Sequence, residues 1–482
     1  MDLQALIRAL APSEVTGARP VAIGDLAYDT RSVSSGALFF CVRGEWVDGH
    51  NLAWEAIERG AAALVVERVV NVDVPQLVVE DVRTAMAVAA DAFFREPTKQ
   101  LEVVGVTGTN GKTTTAFLLH SMLEAAGRRP GLVGTVRWVV GGKERAAPFT
   151  TPESIELQRL FREMVDSGDR SAAIEASSHG AAFRRLDRVR FDALVFTNLS
   201  QDHLDLHGTM EEYFQAKRRL FRGPQPPPAV VNVGNEWGRR LAAELAASHR
   251  APLVSFGLEK GAEIRPTGLE LTATGSRFQA GGIEVETSLR GIFNVENVLG
   301  AVAAGLLLDL DEESIQKGVA GVCQVSGRFE AIDAGQPFAV VVDYAHTPDS
   351  LATVLRAARD LGEGRVILVF GAGGDRDRGK RPLMGKVAAE RADVAIVTSD
   401  NPRSEDPLAI IQDVLQGAGM DVEIDPDRRS AIRRAVGLAE PGDIVVIAGK
   451  GHEQGQEVAG NVHPFDDRVV VREALAALRT TG

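Results

Sequence analysis

Short runs of apolar, mostly β-branched residues recur along most of the chain, and each is followed by a stretch of helical character. Leu101-Glu102-Val103-Val104-Gly105-Val106 precedes such a stretch from Thr114 to Ala126, and Ala193 to Phe196, Val230 to Val233, Arg365 to Phe370, Val394 to Val397 and Ile444 to Ile447 repeat the theme. A strand covered on both faces loses the in-and-out alternation of a half-exposed one, so these runs predict buried parallel sheets between helices, an α/β class. Between Leu269 and Arg290 alternation returns, with Gly281-Gly282 as a turn, and this predicts a hairpin. Two breaks interrupt the pattern, at Glu96-Pro97-Thr98-Lys99 and at Gly327-Arg328-Phe329-Glu330 before a strand at Phe338 to Val342. They predict domains at 1–97, 98–328 and 329–482. Gly223-Pro224-Gln225-Pro226-Pro227-Pro228 reads as a stiff surface loop.

Composition narrows this without redirecting it. A chain of 482 residues, 45% apolar and 25% charged, can fill about three ordinary globular cores without disulfides or structural metals. Cys41 and Cys323 have no zinc spacing and are expected as small buried hydrophobes of a reducing compartment. The first residues lack a basic, apolar leader, and no apolar run approaches the roughly 20 residues that span a bilayer. A soluble, cytoplasmic protein is expected. The net charge of −13 argues against nucleic-acid and membrane partners, but a local cluster of cations can still receive an anionic small molecule.

Candidate chemistry begins at Gly105-Val106-Thr107-Gly108-Thr109-Asn110-Gly111-Lys112-Thr113-Thr114, between a predicted strand and a predicted helix. The amides of such a loop, with the helix N-terminus, surround phosphate oxygens. Lys112 would place a charge on the β and γ phosphates, and the Thr113 hydroxyl would ligate Mg²⁺. Val106 stands where the strict phosphate-loop pattern asks for glycine, so the textual match fails while the strand–loop–helix context holds. Elsewhere the residues alone read blandly. Glu175 and His203 suit capping or surface roles, and Lys217 in Tyr213-Phe214-Gln215-Ala216-Lys217-Arg218-Arg219 suits a solvated basic helix face.

The variant Gly-Thr-Asn-Gly-Lys-Thr-Thr resembles the ATP loop of the Mur ligases. So, in order, do Glu175 to Gly180, Thr197 to Asp205, Asp343 to Pro348, Gly371 to Pro382, Asp400 to Arg403 and Gly449 to Glu453. The resemblance spans essentially the whole chain. It implies a UDP-binding N-terminal α/β domain, a central ATP-binding domain of phosphate-loop type with a parallel sheet, and a C-terminal Rossmann-like domain. It implies an ATP-dependent amide ligase of peptidoglycan precursor synthesis that activates a carboxylate as an acyl phosphate, with two Mg²⁺ ions. Gly108 to Thr114, Asn294, Asn297, Arg328 and Asp343 would contact ATP. Thr113, Glu175, His203 and Lys217 would hold metal, with Lys217 carbamylated by CO₂, and Lys112, Lys217, His203 and Arg328 would form the catalytic set.

The resemblance also divides the substrate. Thr30, where the family usually has Ser, keeps a hydroxyl for a hydrogen bond to the UDP substrate, and the backbone groups of Glu45, Trp46 and Val47 would frame the uracil end. Thr150, Thr151, Ser177 and Arg185 would meet the muramoyl-dipeptide, with Arg184, Arg188 and Arg190 completing a basic cluster. Phe183 departs from a polar position and is not assigned. The branch carrying Asp400-Asn401-Pro402-Arg403 adds meso-diaminopimelate to UDP-N-acetylmuramoyl-L-alanyl-D-glutamate. Arg403 would pair with the distal carboxylate that lysine lacks, Glu453 with the ammonium beside it, and Arg376 and Gly449 would orient the ligand. A monomer is expected. The rivals are the same ligation with lysine, a folylpolyglutamate synthase, and a kinase or nucleotide switch, which would not need Glu175, His203 and Lys217 together.

Overall fold

The computed structural model describes all residues except 45, 46, 249, 273, 420, 421 and 482, and the side chains of residues 480 and 481. Its contacts divide the chain into two compact units, Met1–Val106 with Gly127–Leu194 and Ala216–Pro228, and Thr107–Ala126 with Val195–Gln215 and Ala229–Gly482.

The first unit opens with a five-stranded sheet in the order Glu14–Thr16, Gln76–Val78, Ala61–Val66, Ala37–Phe40, Asp25–Ala27, all parallel except the first pair. Its central strands show why the pattern read as continuous apolar runs. Leu38, Phe40, Ala63 and Val65 pack with Leu3, Leu6 and Met86 on one face, while Phe39, Cys41, Leu64 and Val66 pack with Ala53 and Ala56 on the other. Successive side chains point to opposite faces, and both faces are roofed by helices. Beyond residue 100 this unit adds parallel strands Glu102–Thr107, Ser171–Glu175 and Pro130–Val133. The antiparallel strands Arg137–Val140 and Lys143–Ala146 extend them.

The second unit carries the helix Lys112–Ala125, the parallel pair Ala229–Asn232 and Leu253–Phe256, and an antiparallel sheet of Thr267–Thr272, Gly275–Ala280 and Ile283–Thr287. The last two of these strands are the predicted hairpin, turning at Gly281 and Gly282, both at positive φ. Its C-terminal sheet runs in the order Glu330–Ala331, Ala339–Asp343, Ile444–Ala448, Val366–Phe370, Val394–Val397, Glu423–Ile424, parallel after the first pair. Val341, Leu368, Phe370 and Val446 face the helices Pro348–Arg359, Lys380–Arg391 and Pro407–Ala418. Val340, Val342, Val369 and Ile447 face Arg428–Leu438 and Asp467–Thr481. Asp343, Gly371, Asp400 and Gly449 all lie at or just beyond the carboxyl ends of parallel strands, where open α/β sheets collect ligands.

One expectation is corrected here. Cys41 is buried, but Cys323 is exposed, because it follows the helix Glu312–Gly321 in an irregular segment. Among the described residues no helix is long and apolar enough to cross a membrane.

Candidate active site

The phosphate loop is shaped by two glycines and held by two residues from a neighbouring strand end. Gly111, at φ +87, caps the helix Lys112–Ala125, and a β-carbon there would stand 2.3 Å from Asn297 Oδ1. A β-carbon on Gly108 would lie 1.9 Å from Thr197 Oγ1. No larger residue fits either place. Thr197 Oγ1 donates to the Asn110 carbonyl at 2.6 Å. Asn198 Oδ1 accepts from Asn110 N at 2.9 Å, and the Asn198 carbonyl accepts from Thr109 N at the same distance. Lys112 Nζ reaches back to the carbonyls of Gly108 and Thr109, at 3.0 and 2.8 Å. Thr113 and Thr114 are buried in the first helical turn. Thr197 and Asn198 carry no assigned role in the sequence; their one signal is their place in the segment Thr197 to Asp205, since a loop-supporting hydrogen bond has no pattern of its own.

The residues expected around the rest of ATP gather on the same unit. Arg328 Nη2 donates to Thr113 Oγ1 at 2.9 Å, and its guanidinium lies 4.6 Å over the Tyr344 ring. Asn294 and Asn297 are buried, and Asn297 Nδ2 donates to Asn294 Oδ1 at 2.9 Å. Asp343 accepts from the amides of Phe329 and Ala345 at 2.6 and 2.7 Å. Burial raises its carboxyl above the usual range, against the pull of Arg328 and these two amides.

His203 sits at positive φ beside a buried carboxylate the sequence did not single out. Asp202 lies 3.3 Å from His203 Nε2, 3.6 Å from His346 Nε2 and 3.5 Å from Lys380 Nζ. Burial opposes its ionisation, but His346, His203 and Lys380 outweigh burial and hold the carboxyl well below the usual range. Gln201 bonds to Asp377 at 3.1 Å and Asn110 to Asp349 at 3.1 Å, so the loop side of this unit is stitched to its C-terminal sheet.

On the first unit, Glu175 ends its strand with 1% exposure and accepts from Thr135 N at 2.8 Å and Thr135 Oγ1 at 3.2 Å. Thr150 Oγ1 meets Thr135 Oγ1 at 2.9 Å, and Thr151 Oγ1 donates to the Glu175 carbonyl at 2.6 Å. Ser177 caps the short helix Ser178–Ala182. Arg185 donates to the Thr151 carbonyl at 2.9 Å, pairs with Glu153 at 2.7 Å and stacks 5.5 Å from Phe183. The basic cluster is smaller than its sequence suggests. Arg184 pairs with Asp187 and Asp81, and Arg190 with Asp192, so much of its charge is locally balanced.

Lys217 overturns the composition reading of a solvated face. It is 1% exposed in the helix Met210–Arg218, on the side that also buries Tyr213 and Phe214. Among the described residues no group of three or more histidine, cysteine or acidic side chains stands together as a metal site.

At the N-terminal sheet the Thr30 hydroxyl donates to Glu55 Oε1 at 2.9 Å and is itself buried. Val47 is exposed, its carbonyl accepting from Gly44 N at 2.9 Å, and Glu45 and Trp46 lie outside the described residues.

The C-terminal cluster is the most tightly networked. Lys450, fully buried, donates to Asn401 Oδ1 at 2.8 Å and lies 3.1 Å from Glu453 Oε2, which also accepts from Asn401 Nδ2 at 2.8 Å. Asp400 is held below the usual carboxylate range, Lys450 and Arg428 outweighing its burial. Gly449, at φ +119, passes so close that a β-carbon would be 2.3 Å from Asp400 Oδ2. Arg403 follows Pro402 at positive φ, with Nη1 donating to the Gly374 carbonyl at 2.6 Å. Arg376 donates to the Asp375 carbonyl at 2.8 Å. Lys450 lies inside the segment Gly449 to Glu453, but a buried lysine and a surface lysine look alike in sequence.

Comparison with known proteins places this arrangement. Residues 23–114 match the family described as Mur ligase family, catalytic domain, residues 106–305 the Mur ligase middle domain, and residues 327–451 the Mur ligase glutamate ligase domain. A relative from Geobacillus kaustophilus, named UDP-N-acetylmuramoyl-L-alanyl-D-glutamate–2,6-diaminopimelate ligase, is 47% identical over 471 residues, 93% of this chain and 94% of its own. One of the same name from Geobacillus thermodenitrificans is 45% identical over 99% of this chain and 100% of its own. A solved structure of a ligase of that name is 34% identical, covers 95% of both chains and superposes with a TM-score of 0.67. With identity of this order sustained from end to end, the chain belongs to the Mur ligase family and has its three-domain α/β fold.

Proposed function

We propose that the protein joins meso-diaminopimelate to the D-glutamyl γ-carboxylate of UDP-N-acetylmuramoyl-L-alanyl-D-glutamate, at the expense of ATP, in peptidoglycan precursor synthesis. The observation that carries the choice of amino acid is the C-terminal cluster. There the backbone of Arg403 is tied through Glu457 to Asn401, which together with Lys450 fixes the carboxylate of Glu453, so both residues belong to one hydrogen-bonded segment. A ligand whose far end bears both a carboxylate and an ammonium answers both charges, whereas lysine answers only the second. The names of the relatives support the same reading.

In the proposed reaction a γ-carboxylate oxygen attacks the γ-phosphorus of ATP, the bond to the bridging oxygen breaks, and ADP leaves. The amine of diaminopimelate then attacks the acyl carbon, phosphate leaves with the acyl oxygen, and the amine proton is lost. Both partners of the first step are anions, so fixed positive charge must offset their repulsion. Lys112 and the amides of the loop receive the phosphates, and Arg328, already at Thr113, stands ready for the transferred phosphoryl group. Asp343 and the Asn294–Asn297 pair are assigned to the nucleoside side. Mg²⁺, two ions held by Thr113, Glu175, His203 and carbamylated Lys217, would supply Lewis-acid neutralisation of the phosphates.

Thr30 and Val47, with Glu45 and Trp46, are assigned to the uridine end, and Thr150, Thr151, Ser177 and Arg185 to the muramoyl-dipeptide. We assign domains to 1–97, 98–328 and 329–482, and a monomer working in the cytoplasm. Phosphate release with ATP and the UDP-dipeptide, comparing diaminopimelate with lysine as acceptor, tests the reading. Stimulation by diaminopimelate is expected, and stimulation by lysine alone would overturn it.

A further inference from the structure

We infer that Glu457 is a built-in stand-in for the distal carboxylate of the incoming amino acid, holding Arg403 between turnovers and setting how strongly the site prefers diaminopimelate to lysine. The inference rests on the proposed function and deepens it.

The antiparallel hairpin of Gly455–Val458 and Asn461–Pro464 lies along the segment Asp400–Arg403. Gln456 Nε2 donates to the Asp400 carbonyl at 2.8 Å, and Glu457 N to Asn401 Oδ1 at 3.0 Å. Arg403 N donates to the Glu457 carbonyl at 3.0 Å, and Ala459 N to the Arg403 carbonyl at 2.7 Å. Hydrogen bonds at both its N–H, to the Asn401 side chain, and its carbonyl, from Arg403 N, thus fix residue 457 beside residue 403. From there its carboxylate Oε2 lies 3.5 Å from Arg403 Nε, while Arg403 Nη1 is occupied by the Gly374 carbonyl at 2.6 Å.

The guanidinium is therefore partnered before any ligand arrives. A carboxylate on the ligand must share Arg403 with Glu457 or displace it. Displacement is easy, since the Glu457 side chain is 41% exposed and can turn into water. Lysine brings no carboxylate and leaves the Arg403–Glu457 pair intact, so it escapes the full penalty of a desolvated, unpaired guanidinium. Selectivity is then the difference between a new ion pair and an old one, smaller than Arg403 alone would give.

Glu457→Gln and Glu457→Ala test this, since both keep the backbone bonds of residue 457. Phosphate release is measured at saturating ATP and UDP-dipeptide, with diaminopimelate and lysine varied separately. In both variants KM for diaminopimelate falls about two- to fivefold, the range of a partly exposed ion pair, while KM for lysine does not fall. The ratio of kcat/KM values shifts toward diaminopimelate. An unchanged or raised KM for diaminopimelate, or an equal shift for both amino acids, overturns the role of Glu457. The parent protein separates the two layers. If diaminopimelate does not stimulate it, the proposed function itself has failed.

Discussion

Arg328 Nη2 donates to the Thr113 hydroxyl across 2.9 Å, joining two residues 215 positions apart in the chain. The arginine comes from the break before the C-terminal sheet, and the threonine from the first turn of the phosphate-loop helix. Stacking over Tyr344 holds the guanidinium plane. In the proposed reaction an arginine so placed would meet phosphate oxygens as they gain charge, a task that needs its fork of donors as well as its charge. Arg328→Lys is expected to lower kcat by about 10³-fold or more, with a much smaller change in the affinity for Mg–ATP. Single-turnover kinetics with calorimetric nucleotide binding checks it; a kcat within tenfold of the parent would remove Arg328 from the chemistry.

Lys217 is buried to 1% exposure in the helix Met210–Arg218, and a buried ammonium carries a heavy desolvation cost. Carbamylation needs the neutral amine as nucleophile toward CO₂ and would turn this buried cation into an anion able to share in metal binding. Lys217→Ala and Lys217→Arg are both expected to lose most turnover, because arginine keeps the cation but forms no carbamate. Bicarbonate added to the alanine variant should restore part of the activity. Full activity in the arginine variant would sink the modification and leave a simple cationic role.

What the sequence made legible follows from what repeats along it. Leu38, Phe39 and Phe40 are apolar in succession because each face of their strand is roofed, so the layered α/β architecture could be read directly. The strand–loop–helix turn at Gly108, Gly111 and Lys112 was legible because its signal is local. Asp202 and Lys450 were not. Each is an ordinary charged residue until distant chain segments bring Lys380 and His346 against Asp202, and Asn401 against Lys450. Lys217 was misread on composition alone for the same reason, since helix polarity counts charges and not what covers them. The exposed Cys323 is the reverse error, an apolar neighbour taken for a core.

Arg403 should govern affinity for the amino acid and leave the nucleotide alone. Its side chain is tied to Gly374 and Glu457, all within the C-terminal sheet region, and its backbone to the hairpin beyond Gly455. Arg403→Ala removes the bidentate partner of a carboxylate, a charge-assisted contact of about 1.5–3 kcal/mol, or roughly ten- to 150-fold. KM for diaminopimelate is expected to rise by that order while KM for ATP stays within about threefold. Parallel increases in both constants would mean that the substitution disturbs the sheet and not the ligand.

Glu156 gives the protein a stability that falls as pH rises. It lies in the helix Ser154–Asp166 with its Oε2 buried and unpartnered. Burial, aided by the charge of Glu153, lifts its carboxyl from 4.5 to about 7, against Arg159 and a hydrogen bond from Tyr28. A folded-state value above the unfolded one means that the native state binds the proton more tightly. The stabilisation is complete below about 4.5 and is lost as pH climbs through about 7, where a charge must be held in a dry site. Glu156→Gln keeps the shape of the protonated group and removes the titration. At a pH of about 8.5 the variant should melt a few degrees higher than the parent, about 2–4 °C for each kcal/mol relieved, while near pH 5 the two should melt together. Scanning calorimetry at the two pH values decides it. An equal shift at both would trace the effect to packing around Tyr28, since only the ionised carboxylate carries the pH dependence.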